Sequence, residues 1–212
     1  APRYPKEFAR SFGAQFKMFA REEAYQGIAR AIAEHPNYEL AYRGKLALPA
    51  VEGALEESYI RAQYAERIPV IGKLVRASDR AFTGFLSKFR FDVFNRMVAD
   101  ARKMGLEMTD DRLQQIGSLV NTMTGRGDLP GVLAPAGRAL GTAIFSPRLA
   151  MSRMRLINPV YYARIQDPFV RKEALKSALA FYTTAATTLG LAHLAGAKVG
   201  MDYRTADFGK II

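Results

Sequence analysis

Between Ser177 and Ala197 the chain runs for twenty-one residues, SALAFYTTAATTLGLAHLAGA, without an Asp, Glu, Lys or Arg. No other stretch constrains the fold as strongly, because a helix with no charged face has no side that prefers water. Two environments suit it: the middle of a helical bundle, covered on all sides, or a bilayer, whose hydrocarbon core about 20 residues can span. Lys172 and Lys176 precede it and Lys198 follows it, and its many Ala, Thr and Gly residues allow close helix approach in membranes. Four threonines, a tyrosine and a histidine count against insertion, and its hydropathy falls below that of ordinary single spans. A buried central helix is therefore the expectation, with conditional membrane insertion as the alternative. Leu179, Phe181, Leu189, Gly190, Leu191, Leu194 and Gly196 are its expected helix-packing or membrane contacts.

Helical periodicity dominates the rest of the chain, with few convincing runs of strand-like alternation, so the sequence predicts an all-α, multi-helix bundle. Tyr4, Phe8, Phe12, Phe16 and Phe19, then Tyr25, Ile28 and Ile32, form one stripe, predicting a single core-packed helix from Pro5 to His35-Pro36. Helical stretches follow over about 38–48 and 51–66, ended by Pro49 and Pro69. A long amphipathic helix is expected over about 70–104, with Leu74, Phe82, Phe85, Leu86, Phe89, Val93, Met97, Val98 and Met104 on its apolar side. Lys73, Arg76, Arg80, Lys88, Arg90 and Arg96 belong to its solvated side.

Thr109-Asp110-Asp111 is a cap followed by first-turn acids. The helix it opens leads into LVNTMTGRGDLPG, residues 119–131. Those glycines suggest a phosphate loop, but such a loop follows a strand and carries a lysine after its second glycine. This one follows a helix and has no such lysine, and its Arg-Gly-Asp triplet is ordinary loop composition. Gly125 and Gly127 are instead expected to be turn residues, Gly125 as a left-handed helix terminator. Ser146-Pro147, Asn158-Pro159 and Asp167-Pro168 each pair a capping side chain with a proline at the first helical position. The last of these opens the apolar helix, expected over about 168–197.

Net charge is +11, and cysteine is absent, which excludes disulfides, zinc–thiolate sites and cysteine nucleophiles. The densest positive stretch holds Arg138, Arg148, Arg153, Arg155, Arg164, Arg171 and Lys172 against Asp167 alone, a candidate contact for nucleic acid or an acidic partner. Neither histidine, His35 or His193, has a recognisable catalytic or metal-binding partner, and adjacent carboxylates point about a hundred degrees apart on a helix. Glu57-Ser58 resembles the catalytic glutamate and serine of lytic transglycosylases, but the Gly-Leu-Met-Gln-like motif of those enzymes is missing downstream. No reaction centre, cofactor or metal site is expected. The chain begins Ala1-Pro2 and ends Ile211-Ile212, and both ends read as cuts in a longer protein.

Four elements in order carry a family resemblance: Asn121-Thr122 with Thr124 to Gly127, Phe145 to Arg148, Asp167-Pro168 to Glu173-Ala174, and Asp207 to Ile211. Together they resemble a large polyvalent protein-associated domain of phage and mobile-element polyproteins. The likeness spans about residue 70 to the end and is absent from 1–69. It divides the chain into an N-terminal helical segment, 1–69, and a helical domain, 70–212. In make-up the chain is also similar to podophage internal virion, or ejection, proteins. The resemblance implies a non-enzymatic structural component delivered with DNA from the virion to the host envelope. Its implied partners are portal or internal-core proteins, further copies of itself, DNA, and a bacterial membrane after ejection. The alternatives are a non-specific nucleic-acid-binding module using 138–172 and a peptidoglycan-cleaving segment.

Overall fold

A computed structural model describes residues 3–52, 69–126, 147–200, 202, 204, 205, 207 and 209–211. The described chain is all-α, with nine helices and, at its C-terminal end, a single antiparallel bridge between Val199 and Ile211. The helices are α1 (Pro5–Ala20), α2 (Glu22–Ala33), α3 (Tyr38–Arg43), α4 (Pro49–Glu52), α5 (Pro69–Lys103), α6 (Asp110–Met123), α7 (Pro147–Ile157), α8 (Pro159–Arg164) and α9 (Pro168–Leu194).

The axis of the molecule is α5, against which α1, α2, α4 and α6 pack. In turn α6 carries α3, α7 and the start of α9, while α8 joins α7 to α9. One hydrophobic cluster runs from Tyr4, Ile32 and Leu48 through Phe94, Met97 and Val98 to Ile116, Val120 and Val170, so described residues on both sides of position 69 share a core.

Local signals placed several boundaries. The Thr109 side chain accepts from Arg112 N at 3.3 Å, Asn158 from Val160 N at 2.9 Å and Asp167 from Val170 N at 3.0 Å. Gly125 has φ of +87°, and the Arg126 amide reaches back to Asn121 O at 2.8 Å, closing α6 in the left-handed manner of a glycine-terminated helix.

The expected single N-terminal helix is instead two. Arg21 is extended, φ −138° and ψ 130°, and separates α1 from α2. The physical reason lies far along the chain: Arg80 on α5 donates to Met18 O at 2.8 Å and Phe19 O at 2.9 Å, satisfying carbonyls at the end of α1. The aromatic stripe is also only partly core, because Phe8 packs inward while Phe12, Phe16 and Phe19 are exposed.

On α5 the expected division into an apolar and a solvated side fails at Arg90, which is 1% exposed, and at Leu74 and Phe82, which are exposed. A helix covered on several sides has no single wet face. Arg90 is accommodated by donating to Thr124 Oγ1 at 2.8 Å and, at longer range, to the carbonyls of Ala47 and Thr124.

Backbones meet where α6 crosses the turn after α3. A Cβ added at Gly117 would stand 1.9 Å from Gly44 O. Beside this contact Asn121 bonds the loop after α3 twice, accepting from Ala47 N and donating to Lys45 O, both at 3.0 Å. The LVNTMTG stretch is thus structural throughout: Asn121 clamps a loop, Thr124 receives a buried guanidinium and Gly125 turns the chain.

Candidate interaction surface

Two polar clamps fix the first turns of α9. Asp167 caps the helix with Oδ1, and its Oδ2 accepts from Arg112 Nε of α6 at 2.8 Å, while its amide donates to Gln115 Oε1 at 2.8 Å. Nearly two turns later the buried Glu173 carboxylate accepts from Arg3 at 2.8 Å and Lys176 at 2.7 Å. Burial alone would raise the Glu173 pKa, but the bonds from Lys176 and Arg3 outweigh it and hold the carboxyl below its ordinary value. Phe169, Val170 and Ala174 complete the anchor in the core.

Beyond Ala178 no residue of α9 is buried. The expectation of a central helix covered on all sides is therefore corrected. Leu179, Phe181 and Tyr182 are exposed, Leu189 and Gly190 half-buried, and Leu191 and Leu194 are 61% and 83% exposed. Gly196, at φ +88°, turns the chain just past the helix end. Among the described residues α9 packs on α6 and α8, and its buried residues, Phe169, Val170, Glu173 and Ala174, all lie in its first two turns. No helix of the described residues is long and apolar enough to cross a membrane. The threonines, the histidine and the many alanines hold the hydropathy of α9 below that of a span.

An uncharged helix in water leaves apolar area uncovered at about 25 cal/mol per Å². Patches of this kind mark contact sites more often than ordinary surface does. Chemically this surface offers shape, methyl groups and a few hydroxyls. Even the hydroxyls of Thr184 and Thr188 are turned back onto the helix, donating to Ala180 O at 2.7 Å and Thr184 O at 2.9 Å.

The basic residues flank this surface. Arg153, Arg164, Arg171 and Lys172 are exposed, and Arg148 and Arg155 half-buried. Arg171 donates to Ile165 O at 2.8 Å, closing the turn into α9. No carboxylate of the described residues pairs with Arg153, Arg164 or Lys172. Arg138, Gly127 and Ser146 lie outside the described residues, as does Glu57, while Pro147 opens α7 and Pro168 opens α9.

At the base of α9, Tyr162 and Tyr182 both donate to Leu156 O, at 2.7 and 3.4 Å, and burial pushes the Tyr162 hydroxyl pKa up to about 12. Tyr4, packed beside Arg3 under the same helix, is pushed up to about 12 by the same cause. Both phenols stay neutral at physiological pH. Among the described residues no group of three or more His, Asp or Glu side chains is placed to hold a metal. Sequence reasoning missed Arg3, Arg112 and Glu173 as the anchors of α9; an isolated acid one turn into an apolar helix was the available signal for Glu173.

Comparisons of this chain with protein-family models, with curated proteins and with solved structures each return no match.

Proposed function

We propose that this chain is a structural assembly module, a helical segment of an internal virion or ejection protein that joins other copies through α9. The observation carrying the reading is the exposed, charge-free half of α9, held out from the core by two polar clamps. Association through such a surface is driven by apolar burial and has little electrostatic cost to overcome. The phage setting rests on the ordered turn and cap motifs from Asn121 to Ile211 and on the cysteine-free, basic, helical composition. In that setting the partners are portal or internal-core proteins in the particle, and the location after ejection is the host envelope.

The test has two parts. Sedimentation velocity of the 212-residue chain is expected to show self-association in the micromolar range, and antibodies to it are expected to label purified particles of the encoding phage. A strictly monomeric chain absent from particles overturns the reading.

A second reading, non-specific nucleic-acid binding, is favoured by the exposed Arg153, Arg164 and Lys172. It predicts DNA affinity falling steeply with salt, by roughly 0.9 log units per log unit of salt for each phosphate contacted. Absence of binding at low salt removes it.

A further inference from the structure

A cavity of about 470 Å³ opens at the base of α9, between α5, α6, α7 and α9. Phe89 and Val93 of α5 and Leu149 and Leu156 of α7 give it apolar walls, and Arg153 and Phe181 stand exposed at its mouth. Walls of this kind fix an occupant's bulk, while the few polar atoms set among them fix its chemistry.

Three hydrogen-bond donors in the lining are buried with no acceptor among the described residues: Arg3 Nε, the Tyr4 hydroxyl and the Thr122 hydroxyl. Tyr4 is 6% exposed and Thr122 1%. Ser177 lies beside the Tyr4 hydroxyl but out of bonding geometry, and its own proton goes to Glu173 O at 2.8 Å. A guanidinium Nε can only donate, and burial keeps the Tyr4 phenol protonated. What these three atoms call for is an acceptor. The charge around them says which kind. Among the described lining residues the charged ones are Arg3 and Arg153. Arg3 and Lys176 share the single carboxylate of Glu173, and Arg153 has no acidic partner among the described residues. An ionised acceptor takes such donors roughly twice as strongly as a neutral one.

We infer that the cavity binds a single-chain anionic amphiphile, a fatty-acid-like molecule whose carboxylate takes the free donors and whose chain lies against the apolar walls. A carboxylate suits the count, since its two oxygens offer about four lone-pair sites to three donors. Volume sets the length. At roughly 30 Å³ for each water-sized group the cavity holds about fifteen non-hydrogen atoms, which is one chain with its head and less than a two-chain lipid. The site lies within one copy of the chain, so it stands apart from the self-assembly reading above.

The experiment is isothermal titration calorimetry of the 212-residue chain with dodecanoate, kept below its micelle-forming concentration. One molecule is expected to bind per chain. Dodecyltrimethylammonium, with the same chain and a cationic head, is expected to bind more weakly by a factor above about ten. Thr122→Val and Tyr4→Phe keep the side-chain outline and delete one donor each. Each is expected to weaken dodecanoate binding about tenfold, with the ligand-free melting temperature unchanged or raised. A lowered melting temperature in both variants means the hydroxyls are already bonded in the folded chain, and overturns the premise. Absence of saturable dodecanoate binding overturns the site, as do equal affinities for the two head groups or variants that bind like the wild type. A membrane lipid is the other source of an anionic head on an acyl chain. Flotation with phosphatidylglycerol vesicles that Thr122→Val diminishes, with no heat from dodecanoate, assigns the donors to that source and overturns the single-chain ligand.

Discussion

The two longest helices reverse the expected relation between charge and burial. α5 carries charged residues along much of its length and forms the axis of the core, even taking Arg90 inside, whereas the second half of α9 has no charge and is largely exposed. What separates them is company. Arg90 finds Thr124 and two carbonyls within reach, so its burial is compensated. Leu191 and Leu194 are left largely exposed by the described residues. Burial is thus set by which neighbours reach a position, and composition alone states only what a segment would gain from having them.

The sharpest way to test this contrast is to make the same change in each helix. Phe94→Ala, at a fully buried position on α5, is expected to cost about 3–5 kcal/mol, read as the shift of the urea midpoint. Phe181→Ala, on exposed α9, is expected to change stability by less than about 0.5 kcal/mol while weakening self-association. Equal costs would end the distinction between a core helix and a presented one.

Gly117→Ala comes next. The added methyl has no room against the Gly44 carbonyl, and a loss of about 1–3 kcal/mol is expected in the same assay. The same change at Gly190 on α9, where a Cβ meets nothing within 4 Å, is expected to stabilise by up to about 1 kcal/mol. Asn121→Ala strands the Ala47 amide and the Lys45 carbonyl, for an expected loss of about 1–3 kcal/mol.

The smallest effect is that of pH on the anchor of α9. Glu173 has a folded pKa below its ordinary 4.5, so it contributes stability that is fully present above that value and lost as pH falls through the lower, folded one. Wild type is expected to lose more stability than Glu173→Gln between pH 5 and pH 3. Parallel losses would remove the carboxylate from the anchor.

The parts of the fold that were legible in sequence are those whose cause is local. Thr109, Asn158 and Asp167 cap helices because a side chain reaches an amide two or three residues away, and that spacing is written in the chain. Gly125 is legible for the same reason. The break at Arg21 is not, because no glycine or proline marks it and the side chain that satisfies the freed carbonyls belongs to Arg80. The burial of Arg90 and the exposure of α9 share that character, since both depend on elements distant in sequence. The sequence identified Ser177–Ala197 as the segment to watch and misjudged its surroundings.

Asp167 has one further consequence, and it is mechanical. Clamped by Arg112 and Gln115 at its cap and by Arg3 nearly two turns later, α9 is a beam fixed at one end. Its held part, 168 to the Tyr182 bond with Leu156 O, is roughly 21 Å long and its free part, 182–194, roughly 18 Å. A load on the tip therefore reaches the clamp at nearly full strength, on two ion pairs from different parts of the chain. Pulling or bending at Leu194 loads the attachment of the N-terminal residues to α9 through Arg3, so the tip and the N-terminus answer to the same force.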